Sequence, residues 1–191
     1  MKPKLIILCL CLSLLFVGCS LPETPEAAAD GTPWGEDWTN VGAVMGVEPM
    51  AGWESQRSED LLADTGMYFA SWIWGEPQRT VEGETSYQAQ IFLVLSGCET
   101  TEEAEKLASQ WRGIADESYL TEEAYELALD LGTFTVIPYR FQGEDASFDE
   151  GISATAVIGT YAIDVEITTV EGTGLDLAQT LTEFLNNCHF A

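Results

Sequence analysis

Residues 161–170 read YAIDVEITTV, with Tyr161, Ile163, Val165 and Ile167 at odd positions and Ala162, Asp164, Glu166 and Thr168 at even ones. Strand side chains alternate between faces, so this spacing specifies a strand with one buried and one wetted face. Before it stand the β-rich run 151–158 and the turn pair Gly159-Thr160, which together predict a hairpin. A sheet with one apolar face needs a second layer to cover it.

Two segments supply that layer. Thr100-Thr101-Glu102-Glu103 has the form of a capping box, Thr100 closing the amide end and Glu103 reaching back. Behind it Ala104, Leu107, Ala108, Trp111, Ile114 and Ala115 fall on one helical stripe, and Glu102 and Lys106 form an i,i+4 pair. A closing helix is predicted after Thr173, its expected cap, with the stripe Leu177, Ala178, Leu181, Phe184, Leu185 and Cys188. Residues 67–74 (MYFASWIW) read as a strand ended by Gly75-Glu76-Pro77. Residues 87–95 read as its partner, apolar on both faces in the second half. Residues 133–141 form a further strand, where Pro138 implies an edge or a bulge. Residues 58–64 fit one or two helical turns capped by Ser58 and stopped by Gly66. In 121–131 Tyr125, Leu127, Leu129 and Leu131 alternate, yet Thr121 as cap and the Ala, Glu and Leu content favour a short helix. The expected class is α+β, a two-layer antiparallel sheet with the helices packed on one face.

Ahead of this domain the chain has a different character. Lys2 and Lys4 precede an apolar run, 5–17, that rises about 20 Å as a helix and falls short of the roughly 30 Å hydrocarbon core. A charged end, a short apolar stretch and a small residue before the break read as an export signal. Phe16-Val17-Gly18-Cys19 resembles the bacterial lipobox, with Phe16 where Leu is usual. The resemblance implies diacylglycerol on the Cys19 thiol, cleavage after Gly18 and an acylated, palmitate-type anchor. Two or more acyl chains hold a protein at a membrane without a spanning helix. Residues 19–33, with Pro22, Pro25, Pro33, small residues and acids, read as a tether. The organisation expected is a lipoprotein signal peptide at 1–18, anchor and tether at 19–33, and one globular domain at 34–191. The domain then faces the extracytoplasmic side of a cell membrane.

All 32 acids lie beyond the signal, and loss of Lys2 and Lys4 leaves five bases, a net charge of −27 at pH 7. A surface so acidic is repelled by phosphate, which excludes nucleic acid as a partner; it attracts cations, basic peptides and amines. Two cysteines remain beyond Cys19. In an oxidising compartment Cys98 and Cys188 are expected to form a disulfide, closing a loop of about 90 residues and stabilising by roughly 4–5 kcal/mol.

Catalytic constellations are missing. His189 is the one histidine and lies two residues from the end, so neither a Ser-His-acid nor a Cys-His arrangement is available elsewhere. No zinc, haem, iron–sulfur or phosphate-loop pattern occurs, and no cofactor is expected. Asp164 and Glu166 share a strand face and approach the spacing of glycosidase acids, but alternation puts them on the expected wetted face. Asp145, Ser147 and Asp149 space oxygens as calcium loops do, while the glycine comes one residue late and Ala156 stands where the closing Glu belongs. Trp72 and Trp74 read as core; Trp34, Trp38 and Trp53, among glycines, are the tryptophans expected to be exposed.

The stretch 87–188, with Trp111 near a helix end and GTYAIDVEI before a closing helix, resembles the extracellular sensor domain of actinobacterial serine/threonine kinases and related lipoproteins. That resemblance implies a sensing or binding module. The function expected is a non-catalytic, lipid-anchored, acidic binding or sensing domain for a protein, peptide, cation or envelope component. The alternatives are a carboxylate-based envelope glycoside hydrolase and a purely structural lipoprotein.

Overall fold

In the computed structural model, residues 45–58, 67–81, 84–141 and 148–190 are described. Their framework is an eight-stranded sheet. Along it run β2 (Trp53–Ser58), β3 (Met67–Val81), β4 (Glu84–Gly97), β9 (Tyr161–Thr169), β8 (Glu150–Ile158) and β7 (Gly132–Arg140), each antiparallel to its neighbour. The short strands β5 (Leu120–Thr121) and β6 (Tyr125–Leu129) follow one another along the outer edge of β7. A separate ribbon pairs β1 (Met45–Val47) with β10 (Cys188–Phe190), and the helices are α1 (Thr101–Ser118) and α2 (Leu177–Asn186).

The α+β class expected from the sequence is the class observed. The placement of the helices differs. On one face Ile91, Leu93, Leu95, Ile163, Val165, Ile167, Ile152 and Ala154 form the main core with Leu181, Phe184 and Leu185 of α2. Cross-strand pairing puts Ala162, Asp164 and Glu166 on the other face, and there Ala162 packs with Ala104 and Ala108 of α1. The helices therefore lie on opposite faces and make three layers rather than two. Small residues at Ala104 and Ala108 let α1 approach the sheet closely, which turns the expected wetted face of β9 into an interior.

Local signals decided several boundaries. Thr100 Oγ1 accepts the Glu103 N–H at 3.2 Å, as the capping box requires, while the Glu103 carboxylate reaches one residue further back, to the Glu99 N–H at 3.1 Å. At α2 the cap is Asp176, accepting from the Gln179 N–H at 3.0 Å, in place of Thr173. Thr173 is held instead by the Thr169 hydroxyl at 2.8 Å, and Gly174 at φ 72° separates it from the helix. Gly75-Glu76-Pro77 does not end β3 but marks its irregular stretch, with register shifts on both sides of Pro77.

Residues 125–129 are strand β6, not the expected helix, because Leu127 and Leu129 reach the core from alternate positions and the pairing with β7 outweighs helix propensity. Ser58 is the last residue of β2, paired with Phe69; residues 59–66 lie outside the described set. Pro138 sits inside the sheet, opposite Ile152. Its carbonyl accepts from Glu122 N at 2.8 Å, so its missing N–H faces the gap between β5 and β6. A residue's N–H and C=O point to one side of a strand, and this edge is interrupted where no donor is available.

The expected Cys98–Cys188 disulfide is absent: both residues are thiols. Cys98 packs on the α1 side of the sheet and Cys188 in the core on the α2 side. The sheet stands between them, whereas a bridge needs Cα atoms within about 7 Å. Cys188 Sγ donates to the Phe184 carbonyl at 3.3 Å, and burial pushes its pKa up to about 12. Native protein is thus expected to alkylate at half-buried Cys98, and at Cys188 only after unfolding. A mass gain on reduction of intact protein would contradict this arrangement.

Candidate functional site

β9 is flanked by β4 and β8, so every second side chain of this strand enters the space beneath α1. Asp164 and Glu166 stand in this row, both half-buried. Ser153, on the same face of β8, donates its hydroxyl to Asp164 Oδ1 at 3.2 Å. Tyr139 of β7 donates its hydroxyl to Glu166 Oε1.

The Tyr139 contact depends on Gly151. In the register Tyr139–Gly151–Thr168, the middle strand offers no side chain. A Cβ on Gly151 would sit 2.5 Å from Tyr139 Cζ and Oη, so only glycine lets the ring cross β8 to reach Glu166. α1 supplies the roof. Its C-cap Tyr119 donates its N–H to the Ala115 carbonyl, and its ring stacks on Tyr139 with centroids 4.3 Å apart and 13° between planes. Phe141 lies edge-on to both tyrosines, at 5.0 and 5.4 Å, and Phe148 follows at 6.2 Å. An aromatic wall thus closes one end of a row of oxygens.

Electrostatics follow from that enclosure. Burial, then the neighbouring Glu166 carboxylate, raise Asp164 to about 7 against the pull of the Ser153 hydroxyl. Burial raises Glu166 as well, opposed by the Tyr139 hydrogen bond. Tyr139, only 2% exposed, is pushed well above the ordinary phenol value by burial and by the Glu166 charge. Among the described residues the ion pair is Arg140–Glu122 at 3.8 Å, an exposed contact. The acid pair beneath α1 is held by hydroxyls.

The other sequence candidates are scattered. Cys19, Asp145, Ser147, Trp34 and Trp38 lie outside the described residues. Asp149 has a structural task, its Oδ2 accepting from the Glu171 N–H at 2.7 Å. Among the described residues no three of His, Cys, Asp and Glu converge as a metal cluster. Trp72 is core, edge-on to Phe184 at 4.9 Å, and Trp74 is half-buried. Trp53, expected to be exposed, is half-buried against the main core. His189 is exposed but fixed in β10, its Nε2 only 2.4 Å from where a Cβ on Gly46 would lie. No described helix is long and apolar enough to cross a membrane. Sequence reasoning placed Asp164 and Glu166 on one face but missed Tyr139 and Ser153, whose partnership depends on strand register.

No protein-family model matches the chain, and no curated protein matches it. Among solved structures it is similar to cyanobacterial PsbP (CyanoP) from Synechocystis sp. PCC 6803. The TM-score is 0.46 at 12% identity, covering 78% of this chain and 94% of that one.

Proposed function

We propose that this chain is a lipid-anchored, extracytoplasmic, acidic domain that binds or senses and does not catalyse. The observation that carries the reading is the closure of its acid pair. A glycosidase needs two carboxylates flanking an open groove, about 5–10 Å apart across the sugar. Here Asp164 and Glu166 point the same way from one strand, take hydrogen bonds from Ser153 and Tyr139, and lie beneath α1. The anchor rests on Phe16-Val17-Gly18-Cys19 and the Pro-rich tether after it. With a net charge of −27 at pH 7, the lipidated chain keeps off anionic headgroups by repulsion and is held to the membrane through its acyl chains. Its partner is an envelope protein, a peptide or another envelope component.

The test is expression of the full chain in a bacterium that lipidates exported proteins, beside Cys19→Ala. Wild-type protein is expected in the detergent-extractable membrane fraction, with acyl mass on a peptide that begins at Cys19. The variant is expected free of acyl mass and outside that fraction. Retention of the first eighteen residues in the wild-type product would overturn the anchor. Release of reducing sugar from envelope polysaccharide that vanishes in Asp164→Asn or Glu166→Gln would overturn the non-catalytic reading.

A further inference from the structure

One border of the sheet is β6, which pairs with β7 on its inner side and with no other described strand on its outer side. Alternate residues of an edge strand turn N–H and C=O away from the sheet, and such a row is a template for another strand. Lysine, proline or a bulge commonly blunts an edge. Tyr125–Leu129 (YELAL) has no lysine and no proline, and its register with β7 runs without a shift. Tyr125, Leu127 and Leu129 stand opposite Val136, Phe134 and Gly132, on the face of the main core. Leu127 and Leu129 are half-buried against that core, and Tyr125 is 39% exposed. The core is therefore open along this flank, where apolar side chains of an added strand would cover it.

Charge says what kind of strand fits. Residues 120–131 hold Glu122, Glu123, Glu126 and Asp130 and no base, and all of these acids are exposed. Asp176 stands close by: burial first and its carboxylate second raise the Tyr125 phenol. The base that β7 brings to this border is Arg140, already facing Glu122 at 3.8 Å. A second copy of this chain would set the same acids against these, so repulsion opposes self-pairing, whereas Lys and Arg are attracted.

We propose that β6 is a docking edge for an extended, basic, amphipathic segment of a partner protein, which adds to the sheet as a further strand. Its apolar side chains would lie on the Tyr125, Leu127 and Leu129 face and its Lys or Arg side chains toward Glu126 and the acids around it. In this mode main-chain hydrogen bonds give affinity and alternate side chains give selectivity. The proposal rests on the binding reading above and gives it a surface and a partner chemistry. The anchor and the non-catalytic reading are tested separately, by Cys19→Ala and by sugar release, and do not fall with it.

The test uses the full chain in non-ionic detergent at physiological salt, titrated with an end-blocked peptide of alternating valine and lysine. Calorimetry is expected to give one peptide per chain, and hydrogen exchange is expected to slow in 125–129. A peptide of the same composition with its lysines in one block, and an alternating peptide with proline at its centre, are expected to bind about tenfold more weakly or not at all. The charge reversal Glu123→Lys with Glu126→Lys is expected to weaken binding about tenfold while circular dichroism stays native. Glu54→Lys with Glu76→Lys makes the same change of net charge at the opposite border, among β2 and β3, and is expected to leave binding within about twofold. The proposal is overturned by no binding at millimolar peptide, by equal binding of the block peptide (a diffuse electrostatic effect), or by undiminished binding in the Glu123 and Glu126 variant. It is equally overturned by a dimer of the free chain in which 125–129 is already protected, since a second copy would then hold the edge.

Discussion

Asp164→Asn is expected to make the protein more stable at pH 8, although it removes a native hydrogen-bonded carboxylate. The carboxyl rises from 3.8 to about 7 in the folded state, through burial first and the Glu166 charge second. A carboxyl raised in this way binds its proton more tightly when folded than when unfolded. Its contribution is therefore full below about pH 4, is lost as pH climbs from about 4 to about 7, and is flat above that. The displacement is worth up to about 4 kcal/mol, and solvent reaching the half-buried group reduces this to about 2–3 kcal/mol. The groups that face it are Glu166 on its own strand, Ser153 from β8 and Tyr139 from β7, with no basic partner among the described residues. Urea unfolding of both proteins in metal-free buffer measures the effect. The stability difference should favour Asn increasingly from pH 4 to 7.5 and then level off. A difference independent of pH, or an Asn variant weaker than wild type at pH 8, would show that Asp164 ionises freely in the fold.

Phe184→Ala is expected to cost about 3–5 kcal/mol, the usual range for emptying a large aromatic from a core. Phe184 is fully buried and stands edge-on to Trp72 at 67°. It joins the main core from α2 alongside Leu181 and Leu185, and its carbonyl accepts from Cys188 at the start of β10. In a domain of about 150 residues that loss lowers the melting temperature by about 6–20 °C. The variant should also loosen the β1–β10 ribbon, so Cys188 becomes alkylatable under native conditions. A loss below about 1 kcal/mol with Cys188 still protected would mean that α2 is held by something other than this contact.

Much of the backbone was readable because the relevant signals are local. Thr100 followed by Glu103 announces the start of α1, and Gly159-Thr160 between two β-rich runs announces the β8–β9 hairpin. Where two local signals disagreed, at 125–129, helix propensity pulled one way and alternation the other, and only the pairing with β7 resolved them. The site was legible by half. The spacing of Asp164 and Glu166 put both acids on one face, but their partner Tyr139 is 25 residues before the first of them in the chain. It reaches Glu166 only because Gly151 falls between them in the sheet. Nothing in either neighbourhood announces that meeting.

By itself, then, the sequence determined which residues share a face of each strand and helix, the acidity of the domain and its α+β class, since these follow from period and composition. The tertiary structure alone decided what covers each face. Alternation makes one side of β9 polar, but whether that side meets water or α1 depends on Ala104 and Ala108 packing against Ala162 across more than fifty residues of chain. The same layering parts Cys98 from Cys188 and takes two carboxylates that periodicity assigned to solvent into the interior.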